Sequence, residues 1–172
     1  MRQLRYSVAM SLDGYIAGPS GEADWIVMDP EIDFEAIFSR YDTLVMGRGS
    51  YEAMQKMGGG VWEGMRSVVA STTMQPSDHP SLSIVADAES FIRAEKQTAG
   101  KDIWLFGGGA LFQQLLTAGL VDGVDVAIIP VLLGGGTPFL PTPAPRAKLI
   151  LTGHRLYPAS GIMFLQYEVA HP

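Results

Sequence analysis

Ile103-Trp104-Leu105-Phe106-Gly107-Gly108-Gly109-Ala110-Leu111-Phe112 is the stretch that decides the fold. Four apolar residues run straight into three glycines, and a helical pattern opens at once. A short apolar run closed by glycine fits a strand buried on both faces, so the whole reads as one strand–turn–helix unit. Glycines let a backbone approach a diphosphate closely, and a helix N-terminus offers free N–H groups at the positive end of its dipole. A tight connection without any ligand needs the same glycines, and both readings stand. The G-x-G-x-x-G fingerprint would require glycine where Phe112 stands, which disfavours an ordinary Rossmann dehydrogenase.

Two further strand ends carry polar residues. Leu44-Val45-Met46-Gly47-Arg48-Gly49-Ser50-Tyr51-Glu52 again leads a strand through glycine into a helix, with an arginine at the turn. A guanidinium there suits a phosphomonoester, which it can grip through paired N–H bonds; a surface arginine beside a Ser N-cap is the plainer reading. Val68-Val69-Ala70-Ser71-Thr72-Thr73 ends in three hydroxyls, fit for the same phosphate or for an ordinary turn.

The rest of the chain alternates in the same way, as one domain over residues 1–172. Leu4–Met10 reads as a strand, Asp13-Gly14 as its turn, and Tyr15–Ala17 as a strand that pairs back. Gly18–Asp24 is a loop. Asp29-Pro30 resembles an N-cap followed by proline at the first helical position, and Ile32, Phe34, Ile37 and Phe38 extend that helix to Arg40. Thr43–Met46, Ser67–Ala70, Leu82–Val85, Asp102–Phe106 and Val124–Ile129 read as strands. Helices are expected over Ser50–Met57, ended by Gly58-Gly59-Gly60, over Ala88–Thr98, with Gly100 as its stop, and over Ala110–Ala118. Lys148–Tyr157 and Ile162–Ala170 form a hairpin around Pro158–Gly161. Such alternation implies a mainly parallel α/β sheet with an antiparallel hairpin at its edge, and ligands bind at the carboxyl ends of the strands.

Composition narrows the function. The 172 residues include no cysteine, which removes disulfides and thiolate chemistry. Net charge is -6 and the 12 Lys and Arg are scattered, which speaks against nucleic acid as a partner. No apolar stretch reaches the length of a membrane span, the longest being Val126–Leu133, and Met1–Gly18 does not read as a secretory leader. The expected compartment is the cytoplasm. His79, His154 and His171 are far apart, so no metal site is expected. The nine methionines read as core filler.

The three strand ends, in this order, resemble the dihydrofolate reductase-like superfamily over nearly the whole chain. Ser11-Leu12-Asp13-Gly14-Tyr15-Ile16-Ala17 and Pro130-Val131-Leu132-Leu133-Gly134-Gly135-Gly136-Thr137-Pro138 are similar to the branch of the RibD C-terminal reductase domain of riboflavin synthesis. The resemblance implies a three-layer α/β fold of that type and NADPH as cofactor. Arg48, with Ser71 or Thr72, would hold the 2′-phosphate. Gly47, Ser50 and Gly107, Gly108 and Gly109, with Ala110 and Leu111, would cradle the diphosphate. Ala9, Ile16 and Ala17 would lie along the nicotinamide, under a flap formed by Gly18–Trp25.

The acid that faces the pterin in dihydrofolate reductases has two rival positions here, Glu31 and Asp33. The threonine that supports it falls at Ala127, and the folate-clamping arginine falls at Met65, beside Arg66. These departures speak against folate. The implied activity is hydride transfer to an electron-poor C=N or C=O of a small heterocycle, pyrimidine- or pterin-like. Asp33, Glu31 or water would relay the proton. The branch also implies a homodimer, with Val124–Leu133 as a candidate interface. An alternative is a protein that binds NADPH as a sensor or degenerate family member without turning it over, which the missing acid–threonine pair favours.

Overall fold

Each glycine turn does join a strand to a helix. A computed structural model describes residues 1–59, 62 and 64–170; Gly60 and His171 lie outside the described residues. In chain order the elements are β1 (Leu4–Ser11), β2 (Tyr15–Ala17), α1 (Phe34–Phe38), β3 (Tyr41–Gly47), α2 (Arg48–Lys56), β4 (Arg66–Ala70), β5 (Ser83–Val85), α3 (Ala88–Glu95), β6 (Asp102–Gly107), α4 (Gly109–Thr117), β7 (Gly123–Ile129), β8 (Thr137–Pro138), β9 (Leu149–Tyr157) and β10 (Ile162–Val169). Among the described residues no helix is long and apolar enough to cross a membrane.

The main sheet runs β5-β4-β3-β6-β1-β7-β10-β9. All neighbours from β5 to β7 are parallel, while β10 runs antiparallel to β7 and β9 antiparallel to β10. Strands covered on both faces need apolar residues at successive positions, and β3 shows it. Val45 packs among Leu4, Tyr6, Val68 and Leu105 against Ile92 of α3 and Leu111, Phe112 and Leu115 of α4. Its neighbours Leu44 and Met46 point the other way, to Met54 of α2 and to Ile37 and Phe38 of α1. A third cluster, Ile129, Tyr157 and Ile162, sits under the hairpin with Trp25, Ile26 and Ile32. The result is an α/β fold of three layers, a mainly parallel sheet between helices with an antiparallel hairpin at its edge.

Four expectations need correction. Asp29 does not start a helix: it is buried, its carboxylate accepts the Glu31 N–H at 2.9 Å, and its carbonyl closes a turn with the Ile32 N–H at 3.1 Å. The Ser160 hydroxyl and the Glu31 N–H hold that carboxyl below its usual range. Asp33 caps the helix instead, accepting the Ala36 N–H at 2.8 Å, and α1 is only five residues long. Helix α3 stops at Glu95: after its C-cap Lys96 the N–H groups of Gln97 and Thr98 turn to the carbonyls three residues back, and the Lys96 ammonium bonds the Leu120 carbonyl (3.0 Å) and Asp122. β2 does not pair back but forward, as Tyr15 and Ala17 meet Pro138 and Thr137 in a small separate sheet. Finally, the strand part of Val124–Leu133 has no free edge for a partner, since β7 is hydrogen-bonded to β1 on one side and β10 on the other.

The sheet centre contains a buried ion pair. Arg5 of β1 donates from Nε to Asp125 Oδ2 at 3.0 Å and from Nη2 to Asp125 Oδ1 at 2.8 Å, with both side chains at most 3% exposed. Burial works against the Arg5 charge, but the bonds to Asp125 and Glu168 outweigh it and keep the guanidinium firmly protonated. Burial, reinforced by the Asp125 charge, pushes the Tyr41 phenol up to about 12. The guanidinium lies over Gly123, where a Cβ would stand 2.4 Å from its carbon. Removing one partner of such a pair leaves a buried charge uncompensated. Asp125→Ala should therefore lose about 3–5 kcal/mol in denaturant unfolding, whereas the joint change Arg5→Met with Asp125→Leu should recover most of that. A loss below about 1 kcal/mol would show that water already reaches the pair.

Candidate functional site

Parallel strands end in main-chain groups that no neighbour satisfies, and at the carboxyl ends of β3, β4 and β6 these ends open on one cavity of about 940 Å³. That is near the upper end of the range of about 300–1,000 Å³ usual for ligand pockets. Three residues expected beside a nicotinamide, Ala9 of β1 and Ile16 and Ala17 of β2, line it. So do Gly47, Arg48 and Ser50 at the start of α2, and Ser71 and Thr72 after β4. The run Gly107, Gly108, Gly109, Ala110 and Leu111 completes the wall.

Gly107, at a positive φ, and Gly109, pressed on a carbonyl, are needed where they stand. A Cβ on Gly47 would lie 3.9 Å from the Gly107 oxygen and the Gly108 nitrogen, so the two turns stand side by side. The Ser50 hydroxyl covers the second turn, 3.3 Å from where a Gly107 Cβ would be and 3.2 Å from one on Gly108. A Cβ on Gly109 would meet the Pro138 carbonyl at 2.5 Å. The Gly107–Gly108 peptide is cis. Neither α2, capped by Gly47, nor α4, capped by Gly108, has a side chain bonded to its first N–H groups. Both helix starts therefore present unpaired donors and a positive dipole end to the cavity.

Arg48 supplies the charge. Its Nη1 donates to the Thr73 hydroxyl at 2.8 Å, its Nε lies 3.4 Å from Glu52, and about half of the side chain is exposed. Ser71 turns the chain beneath it by accepting the Thr73 and Met74 N–H groups at 3.2 and 3.1 Å. Ser7, Trp104 and Phe106 belong to the cavity wall without an expected role from the sequence, and so does Thr73, which the sequence offered among three hydroxyls but did not assign to the cofactor. Thr73 was legible as the third of three hydroxyls. Ser7 stands two residues before Ala9 on the same strand face, which was a usable signal.

The two candidate acids lie elsewhere. Asp33 caps α1, and Glu31 is exposed and accepts from Arg155 of β9 at 3.3 Å; neither lines the cavity. Trp25 packs under the hairpin, its indole N–H bonded to the Glu22 carbonyl at 3.1 Å. From the flap, Gly21 and Ala23 reach the cavity. Arg66 is turned away, over the Phe91 ring and bonded to Glu95.

Asp13 ties the two remaining motifs together. It accepts the Ser11 hydroxyl at 2.7 Å, the Leu133 N–H at 3.1 Å and the Gly134 N–H at 2.7 Å, and Leu12 N–H reaches the Val131 carbonyl at 2.9 Å. The Ser11 and Gly134 bonds hold its carboxyl below the usual range. A depressed acid contributes its stabilisation above its unfolded value and loses it as pH falls through the folded one. The tie is thus complete above about pH 4 and fails in more acid solution. Asp13→Asn should speed hydrogen exchange at Leu133 and Gly134 at neutral pH, and the wild type should match it only below about pH 4. Equal exchange in both proteins at pH 7 would dismiss the tie.

Comparison with known proteins agrees with this geometry. The model of the RibD C-terminal domain family matches residues 2–162. The uncharacterized protein YyaP of Bacillus subtilis (strain 168) is 30% identical over 97% of the chain and 95% of its own length. YwjB, an uncharacterized protein of the same strain, is 28% identical over 87% of the chain and 89% of its own length. A protein from Shewanella sp. PV-4, provisionally assigned to riboflavin biosynthesis, superposes with a TM-score of 0.83 at 24% identity, over 99% of this chain and 100% of that one. Dihydrofolate reductase from Enterococcus faecalis, complexed with NADP(H) and RAB-propyl, gives 0.73 at 19% identity, over 98% and 97%. The chain belongs to the RibD C-terminal domain family and has the dihydrofolate reductase-like fold.

Proposed function

We propose that this member of the RibD C-terminal domain family is a cytoplasmic, NADPH-dependent reductase of a small heterocycle, pyrimidine- or pterin-like. One observation carries the reading: two uncapped helix starts and a guanidinium converge on a single cavity floored by glycine. That donor set suits a dinucleotide with an extra phosphate, and the glycines leave room for a diphosphate against the backbone. The N–H groups that open α2 and α4, with the Ser50 hydroxyl, would hold the diphosphate. Arg48, with Ser71, Thr72 and Thr73, would hold the 2′-phosphate. Ala9, Ile16 and Ala17 would bound the nicotinamide.

NADPH, when bound, supplies a hydride. The chain's part is to align the two rings and to keep bulk water from the reacting face. The flap through Gly21 and Ala23 provides the cover, and Asp13 fixes the base from which it departs. Glu31 and Asp33 take no part, being committed to Arg155 and to the cap of α1; the proton that accompanies the hydride comes from water. Arg48→Ala should weaken NADPH binding about 10–100-fold and NADH far less, as read by nicotinamide fluorescence, since a charge-assisted phosphate contact is lost. Equal losses for both cofactors would remove the 2′-phosphate assignment. Steady NADPH oxidation with a small heterocycle would exclude the rival reading of a protein that binds the cofactor without turnover.

The proposal includes a homodimer. The edge strand β9 exposes Leu149, Ile150, Leu151 and Leu156, each between 41% and 53%, an apolar row seldom left on a monomer. Light scattering should give twice the mass of the 18.5 kDa chain, and Leu151→Glu should halve it. A wild type that runs at the monomer mass would reject the dimer.

A further inference from the structure

We propose that Ser7 is a substrate-facing, specificity-determining residue, and that the ring it meets is planar and uncharged. This rests on the cofactor reading above, which leaves the part of the cavity beside Ser7 for the hydride acceptor. Ser7 is half-buried on β1, shares the cavity-facing side with Ala9, and its hydroxyl has no hydrogen-bond partner among the described residues. Its carbonyl, by contrast, is fixed by the Trp104 indole N–H at 2.8 Å. Backbone and wall are therefore held while one hydroxyl stays free to bond whatever enters.

The wall at that point is aromatic. Trp104 meets Phe106 edge-on at 5.6 Å and is stacked from behind by Phe38 at 5.2 Å and Tyr41 at 5.7 Å. Trp62 lies 5.6 Å from Trp104 and 5.5 Å from Phe106. Such rings favour a flat π-system that can stack or meet them edge-on. Arg48 is the one ionisable side chain among the described residues that line the cavity, and it is engaged at the phosphate end by Thr73. A charged group on the acceptor would lose water beside Trp104 and Phe106 and gain no counter-charge there. A neutral heterocycle with a carbonyl oxygen or ring nitrogen toward Ser7 fits both features.

The test uses the full chain saturated with NADP+, with lumazine as a neutral fused ring and lumazine-6-carboxylate as its anionic counterpart, followed by quenching of indole fluorescence. Lumazine should bind saturably and the carboxylate at least tenfold more weakly. Ser7→Ala should weaken lumazine about five- to tenfold, the value of one neutral hydrogen bond, while Ser7→Thr keeps it and NADP+ affinity stays the same in all three proteins. Should Ser7→Ala lose NADP+ binding, the near-isosteric Ser7→Cys repeats the comparison. The proposal is overturned if lumazine does not bind, if the hydroxyl-free variant binds it as well as wild type, or if the carboxylate binds equally. Failure of the wild type to bind NADP+ overturns the cofactor reading instead.

Discussion

Two main-chain turns pressed together without side chains between them are the constraint from which the site follows. Strand β6 enters the sheet between β3 and β1, which sets Gly107 beside Met46 and brings its turn against that of Gly47. A Cβ at Gly47 would touch the Gly107–Gly108 peptide at ordinary van der Waals distance, which shows how near the turns lie, whereas one at Gly109 would strike the Pro138 carbonyl. Because these positions are bare, two helix starts can lie next to each other with their N–H groups turned to the same space. An acidic chain of net charge -6 can thereby attract an anion locally, through peptide dipoles and one guanidinium.

The cavity is graded along its length. At the ends of β3 and β4 its surface is hydroxyls, peptide N–H and Arg48, open to water. Toward β1 it becomes Ala9, Ile26, Trp104 and Phe106, with Ser7 as an isolated polar point. A ligand with a charged tail and a flat uncharged head has one orientation in such a space. The β1–β2 turn and the 130–138 segment, joined through Asp13, close the side toward the flap.

How much of this the sequence discloses depends on distance along the chain. The glycine turns, Arg48 and the hydroxyls after Ala70 are local: a strand, a turn and a helix are written within ten residues, and their chemistry is that of the backbone. The ten residues assigned to the cofactor at those strand ends line the cavity, as do Ala9, Ile16 and Ala17, which the family resemblance placed there. The acids were misplaced because their fate is set from far away. Glu31 is taken up by Arg155 and Asp29 by Ser160, both of the C-terminal hairpin, which leaves Asp33 as the residue free to cap α1. Trp104 and Ser7 meet only through the register of β1 on β6, which no periodicity in either strand reveals. The pairing of β2 with β8 is equally non-local.

The guanidinium that crosses Gly123 also governs when the fold can exist. Arg5 is made at the start of the chain, yet its partners Asp125 and Glu168 arrive early in β7 and in the last strand. Until Asp125 is in place, closing the sheet over Arg5 would bury a bare cation, so a nascent chain has reason to hold its central strand open. The N-terminal half, with its cavity-forming turns, is therefore tied to the final hairpin although the two never share a ligand. A chain cut short before β10 would keep the Asp125 pair but lose the Glu168 carboxylate and the Tyr167 carbonyl that complete the shelter of Arg5.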